Sequence, residues 1–358
     1  MTKHPDLSSE YKKSCFEARK YNGQDSKLLN DVLNRCMDLV QKNELGQAII
    51  AGAEYGKATT KDNYTVEEIY IGNRGKIQGG HCGLISAIEN DKNPNNARGE
   101  IYLSENFVRN VVDKLGKENG AIYLSNIVVH EFLHGNQRKH DCITNVVENS
   151  RSGLGKPAPS GEKPPLTPEQ MTHKYENIQE DKDGWARMLL TEAASMTAGL
   201  NVCMQLCDET NREDVIKYAL EDMKNIGNVS EESIKKIEEK LREQPKTTEE
   251  KQNLSLTLFK IIVNGEMEYQ RTTCGNRPLG IEFAKYEASL NATYHNELFG
   301  SRENFNTAIK CIDGLNKSKD QKLKNNDGNI NLNQANTASQ TLLPSVIDMW
   351  TDKKKKNI

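Results

Sequence analysis

"VVHEFLHGNQ" (residues 128–137) is the stretch on which the reading of this chain turns. His130 and His134 are four apart, with Glu131 directly after the first. In a helix, residues i and i+4 stack on one face with Cβ atoms about 5–6 Å apart, so both imidazoles can serve one cation. Zinc takes such nitrogens at ~2.0–2.1 Å and, held by three protein ligands, keeps a fourth position for water. Glu131 is then close enough to take a proton from that water and pass it to a leaving amine. A catalytic helix must be held rigidly from behind, and Val128 and Phe132, also four apart, should bury on the opposite face. The plainer alternative is a surface helix with two solvated histidines. The apolar flanks weigh against it, as does the crowding of three of the seven histidines into residues 130–140.

A third protein ligand is needed, and four residues compete for the place. His140, followed by Asp141, would complete a metzincin-like HExxHxxGxxH, but the turn glycine of that pattern is Gln137 here. The helix should therefore run on and carry His140 away from the pair. Cys82 in "GGHCGL" stands upstream, as the cysteine of peptide deformylases does, without the residues that flank it there. His173 has no motif around it. Glu192 in "MLLTEAASMTAG" sits on a second predicted helix, beside the small residues Ala193, Ala194 and Ser195, which allow two helices to approach closely. An unpaired carboxylate in so apolar a helix is costly, and a carboxylate with two imidazoles suits zinc. Glu192 is the favoured ligand.

"HEFLHGNQ" followed by "TEAAS" resembles the gluzincin-type zincins. More narrowly, it is similar to a group of bacterial proteins read as metallopeptidases, with HExxHxxQ and then EAxA on a later helix. "GNRGKIQGGHCG" and "EIYLS" match the glycine-rich hairpin and the strand that precede the active helix in that group. The resemblance covers roughly residues 45–205. It implies zinc on His130, His134 and Glu192, with Glu131 as catalytic base. Ala194 stands where the group has an acidic residue.

Around this centre the sequence predicts an α+β, zincin-like fold: a small mixed sheet, an active-site helix and a predominantly helical second half. Four regions are expected. Residues 1–45 are an N-terminal helical segment, with Leu28, Leu29, Val32, Leu33, Cys36, Leu39 and Val40 at helical spacing. Residues 46–210 are the metallopeptidase domain, opening with the β-prone runs "QAIIAGAEYG", "YTVEEIYIG" and "GEIYLS". Between the last two, five glycines in twelve residues (72–83) predict a loop or hairpin, without the pattern of a phosphate-binding loop. Ser104 and Gly116 are expected to cap a helix, the active helix to span about 120–138, and a second to cover 183–206. Within the domain, 150–183 is an insertion or lid, carrying five of the ten prolines in twelve residues. Residues 211–312 form a helical C-terminal region, and 313–358 a polar, partly disordered tail. Residues 99–104 are expected to form a strand to whose edge an extended peptide could pair.

A formal charge of −3 over 358 residues gives no global field for nucleic acid. No run approaches the ~18 apolar residues of a membrane span, nor does the N-terminus hold a signal-peptide core. The expected location is cytoplasmic, or outside the cell by a specialised secretion route. The eight scattered cysteines, none in a CxxC pair, read as reduced thiols. The expected activity is that of a zinc peptidase, an endopeptidase before an exopeptidase, with Zn2+ as cofactor and a protein or peptide as substrate. A Tyr, His or Arg would stabilise the oxyanion; His173, Tyr175 and Arg187 stand near the second helix in sequence, and the sequence singles out none of them. Two other classes are compatible with the motif: an inert zinc-binding interaction module, and a zinc hydrolase acting on a small molecule.

Overall fold

In the computed structural model the described residues are 26–59, 63–72, 80–86, 97–139, 166–226, 229–286 and 294–326. The architecture is α+β, mostly helical with one small sheet. Helix α1 (Ser26–Lys42) buries Leu29, Val32, Leu33, Cys36, Met37 and Val40, a stripe at 3.6-residue spacing. Helix α2 (Glu44–Gly52) follows at once. It corrects the expectation of a strand at "QAIIAGAEYG", because the Asn43 side chain accepts from the Gly46 N–H at 3.0 Å and starts a helical turn. Leu45, Ile49 and Ile50 then share a buried face.

The sheet is three-stranded and mixed, in the order β1 (Glu68–Gly72), β3 (Ala97–Ser104), β2 (Gly80–Ser86). β3 runs parallel to β1, with Ile69 opposite Ile101 and Ile71 opposite Leu103, and antiparallel to β2. Those four side chains enter the core, while Tyr70 and Tyr102 meet edge to face at 5.5 Å. Residues 80–83 of the glycine-rich stretch open β2, and 73–79 lie outside the described residues. One expectation is corrected here. β3 is the central strand, hydrogen-bonded on both sides, so it offers no edge to an added peptide.

β3 feeds straight into α3 (Glu105–Lys139), so the middle of the sheet fixes where that helix starts. Gly116 interrupts α3 with φ 75° and ψ 178°, a backbone state open to glycine, and two helical stretches meet there at a kink. The second stretch carries the motif. After α4 (Pro168–Glu180), opened by a Thr167–Gln170 capping box, α5 (Lys182–Leu206) packs along α3 in the most extensive contact in the fold. α5 is buried nearly all round, so it is a core helix rather than a surface one.

The remaining helices are α6 (Arg212–Ile226), α7 (Glu231–Leu241), α8 (Thr248–Thr273), the short α9 (His295–Phe299) and α10 (Arg302–Asn326). α8 lies against α5, and α10 against α8. The boundary expected at 312 falls inside α10. Asp313 and Asp320 are buried there because they accept backbone N–H groups: Phe283 at 2.8 Å for the first, Leu279 at 3.3 Å and Gly280 at 2.8 Å for the second. A single hydrophobic cluster runs from Leu29 to Ile312 across these elements. The expected helical start before residue 26, residues 150–165 of the expected insertion and the tail beyond 326 lie outside the described residues, and 168–180 of that insertion are the helix α4. No described helix is long and apolar enough to cross a membrane.

Candidate metal centre

Val128, Val129, Phe132 and Leu133 are fully buried, and Tyr55 meets the Phe132 ring edge-on at 5.1 Å. That back face leaves the opposite side of α3 to His130 and His134, whose Nε2 atoms are 2.9 Å apart. Glu192, at mid-length on α5, brings one oxygen to the same place. Its Oε2 is 3.5 Å from the Nε2 of His130 and 3.5 Å from that of His134. The side chains are 18%, 11% and 21% exposed, so the group lies in a recess open to solvent rather than sealed in the core.

The small residues after Glu192 explain the approach only in part. Ala193, Ala194 and Ser195 are buried as expected, and Gly199 marks a further close crossing. A Cβ built there would overlap the Asn126 carbonyl oxygen of α3, so the helix backbones touch one turn before His130.

Whether the three ligating atoms fit a metal ion follows from their spacing. A triangle with sides of 2.9, 3.5 and 3.5 Å has its circumcentre about 1.9 Å from each corner. Zinc bonds to nitrogen and oxygen run ~2.0–2.2 Å, close to that radius, so the spacing of the three atoms fits one such ion. The set of two imidazoles and one carboxylate could hold a metal ion, and no other His, Cys, Asp or Glu group among the described residues is so arranged. Glu131, buried beside the pair, completes the motif.

The structure brings together His130, His134 and Glu192 of the sequence candidates. α3 continues helically through Gln137 to Lys139, so there is no turn at the position a metzincin-like chain would need. His140 and the side chain of Cys82 lie outside the described residues. His173 is exposed on α4 and belongs to no metal-holding group there. Of the residues considered for the oxyanion, Tyr175 lies under the Arg277 guanidinium at 5.0 Å and Arg187 stacks over Tyr286 at 5.6 Å.

The sequence marks Gln137 as the residue that keeps the helix going and as the last position of the HExxHxxQ resemblance, with no partner assigned to it. It is fully buried, with Oε1 2.8 Å from His134 Nδ1 and Nε2 donating to the Thr191 carbonyl at 3.0 Å. Ser195 adds a longer contact to the same Oε1, at 3.4 Å. The HxxQ spacing was the available signal, but the partner carbonyl is 54 residues away. Comparison with models of protein families, with curated proteins and with solved structures gave no match to the chain.

Proposed function

We propose that the chain is a zinc-dependent peptidase of zincin-like, gluzincin type, hydrolysing peptide bonds of a protein or peptide substrate. The observation that carries the reading is the triangle of His130 Nε2, His134 Nε2 and Glu192 Oε2, with a glutamate next to the first ligand in sequence. When bound, zinc would supply Lewis acidity, polarising the substrate carbonyl and making water a better nucleophile. His130 and His134 would hold it from α3 and Glu192 from α5, and the buried back face of α3 would keep the ligands in register. Glu131 would take a proton from the attacking water and deliver it to the leaving amine. The choice of a peptide bond over another hydrolysable bond rests on the resemblance of "HEFLHGNQ" and "TEAAS" to gluzincins.

Two measurements test this. Purified protein should carry about one zinc per chain, and His130→Ala with His134→Ala should abolish it. Glu131→Gln should keep the zinc and the fold but lower casein hydrolysis by about 10²–10⁴-fold, the usual contribution of a general base. Stoichiometric zinc in the double histidine variant would overturn the site. Full proteolysis by Glu131→Gln would remove Glu131 as base.

A further inference from the structure

Gln137 sits in the crossing of the two ligand-bearing helices, and its amide has little freedom there. The Thr191 carbonyl can only accept, so the amide must present its NH2 group to α5 and its oxygen to His134. An amide oxygen also only accepts. The ring nitrogen 2.8 Å away, His134 Nδ1, must therefore carry a proton. In a neutral imidazole that leaves Nε2 bare, with its lone pair on the side of His130 and Glu192. At 2.9 Å from it, His130 Nε2 is then the donor in the metal-free protein.

Thr191 is the residue directly before Glu192. The same amide thus fixes the second histidine at one end and the backbone of the third ligand at the other. We propose that Gln137 is the positioning residue of this centre. It holds His134 in the tautomer that ligates through Nε2 and locks the register of α5 so that Glu192 completes the triangle. This rests on the zinc reading of the site. Its first part concerns the metal-free protein and stands or falls separately.

The general expectation is that removing such an outer partner weakens metal binding by about 10–100-fold. Gln137→Leu, close in shape but without hydrogen-bonding groups, should retain one zinc per chain with affinity lowered in that range, read by competition with a chromophoric chelator. Gln137→Glu keeps an acceptor for His134 Nδ1–H but loses the donor to Thr191, so it should recover the part of the affinity that comes from His134 and not the part that comes from the register of α5. A purely packing role would predict the reverse order, since a buried carboxylate packs worse than leucine.

The tautomer is read independently from the ring 15N signals of His134 in metal-free protein. Wild type should be protonated at Nδ1, and Gln137→Leu should lose that preference. Wild-type zinc affinity in Gln137→Leu, or His134 protonated at Nε2 in wild type, would overturn the proposal. Should Gln137→Leu fail to unfold cooperatively, the wild-type tautomer alone decides. Should wild type bind no zinc, the metal reading fails while the tautomer measurement still judges Gln137.

Discussion

At the scale of single residues, the centre depends on side chains whose types were plain in the sequence and on partners that were not. The i,i+4 pair with its adjacent glutamate is local, so helical geometry alone placed His130 and His134 on one face. Glu192 was legible because a carboxylate in an apolar, small-residue helix needs a partner. Gln137 was not, since its role depends on a carbonyl that only folding delivers. His295 was likewise passed over in the sequence. It is buried, stacked on Phe305 with centroids 4.3 Å apart, and its Nε2 has no hydrogen-bond partner among the described residues. Burial, with the Arg302 charge adding to it, pushes its pKa down to about 4. A histidine depressed in the folded state binds its proton first in the unfolded chain. The stability it supports is therefore full above about pH 6.5 and drains away as pH falls toward 4. Unfolding free energies from denaturant titration at pH 7 and pH 4.5 should differ by on the order of 2–3 kcal/mol more in wild type than in His295→Phe. Equal pH dependence in the two proteins would show that His295 titrates normally.

At the scale of elements, the α3–α5 crossing decides whether a site exists. Gly199 permits it, and the added methyl of Gly199→Ala would meet backbone rather than a side chain that can turn away. Overpacking of this kind costs about 1–3 kcal/mol. Because the strain falls between the ligand-bearing helices, zinc affinity should drop along with the melting temperature. An Ala variant with unchanged Tm and unchanged zinc binding would mean that the helices can part without consequence. Elements with long periodic patterns were readable: the α1 stripe, the active helix and the 183–206 helix all stand close to where spacing put them. The short apolar run at 48–53 was not, because six or so apolar residues suit a strand and a buried helix equally. Asn43, a capping residue just before it, was the signal that went unused. Nor could strand order be read from β3 itself, since an edge strand and a central one differ in their neighbours rather than in their own residues.

For the whole molecule, the C-terminal helices continue the same core as far as Ile312, and α10 runs on to Asn326. The polar composition after 312 suggested a tail because buried charges look like solvated ones in a sequence. Asp320 meets the buried Arg271 at 3.1 Å and holds the Leu279–Gly280 backbone, with both side chains under a tenth exposed. Asp320→Ala would leave Asn316 and the more distant Glu268 as the partners of Arg271 and leave two N–H groups unpaired, and breaking a buried pair in this way costs about 3–5 kcal/mol. Urea unfolding should show that loss with zinc content per folded chain unchanged, since the pair lies outside the metal centre. A loss below ~1 kcal/mol would mean that α10 is dispensable to the core.

The central claim is that one zinc is held by His130, His134 and Glu192, and X-ray absorption at the zinc edge of purified protein tests it most directly. The account predicts two imidazole shells with oxygen donors at ~2.0–2.2 Å, no sulfur at ~2.3 Å, and loss of the bound zinc in His130→Ala with His134→Ala. A zinc–sulfur shell, three imidazoles, or the same spectrum in the double variant would contradict it.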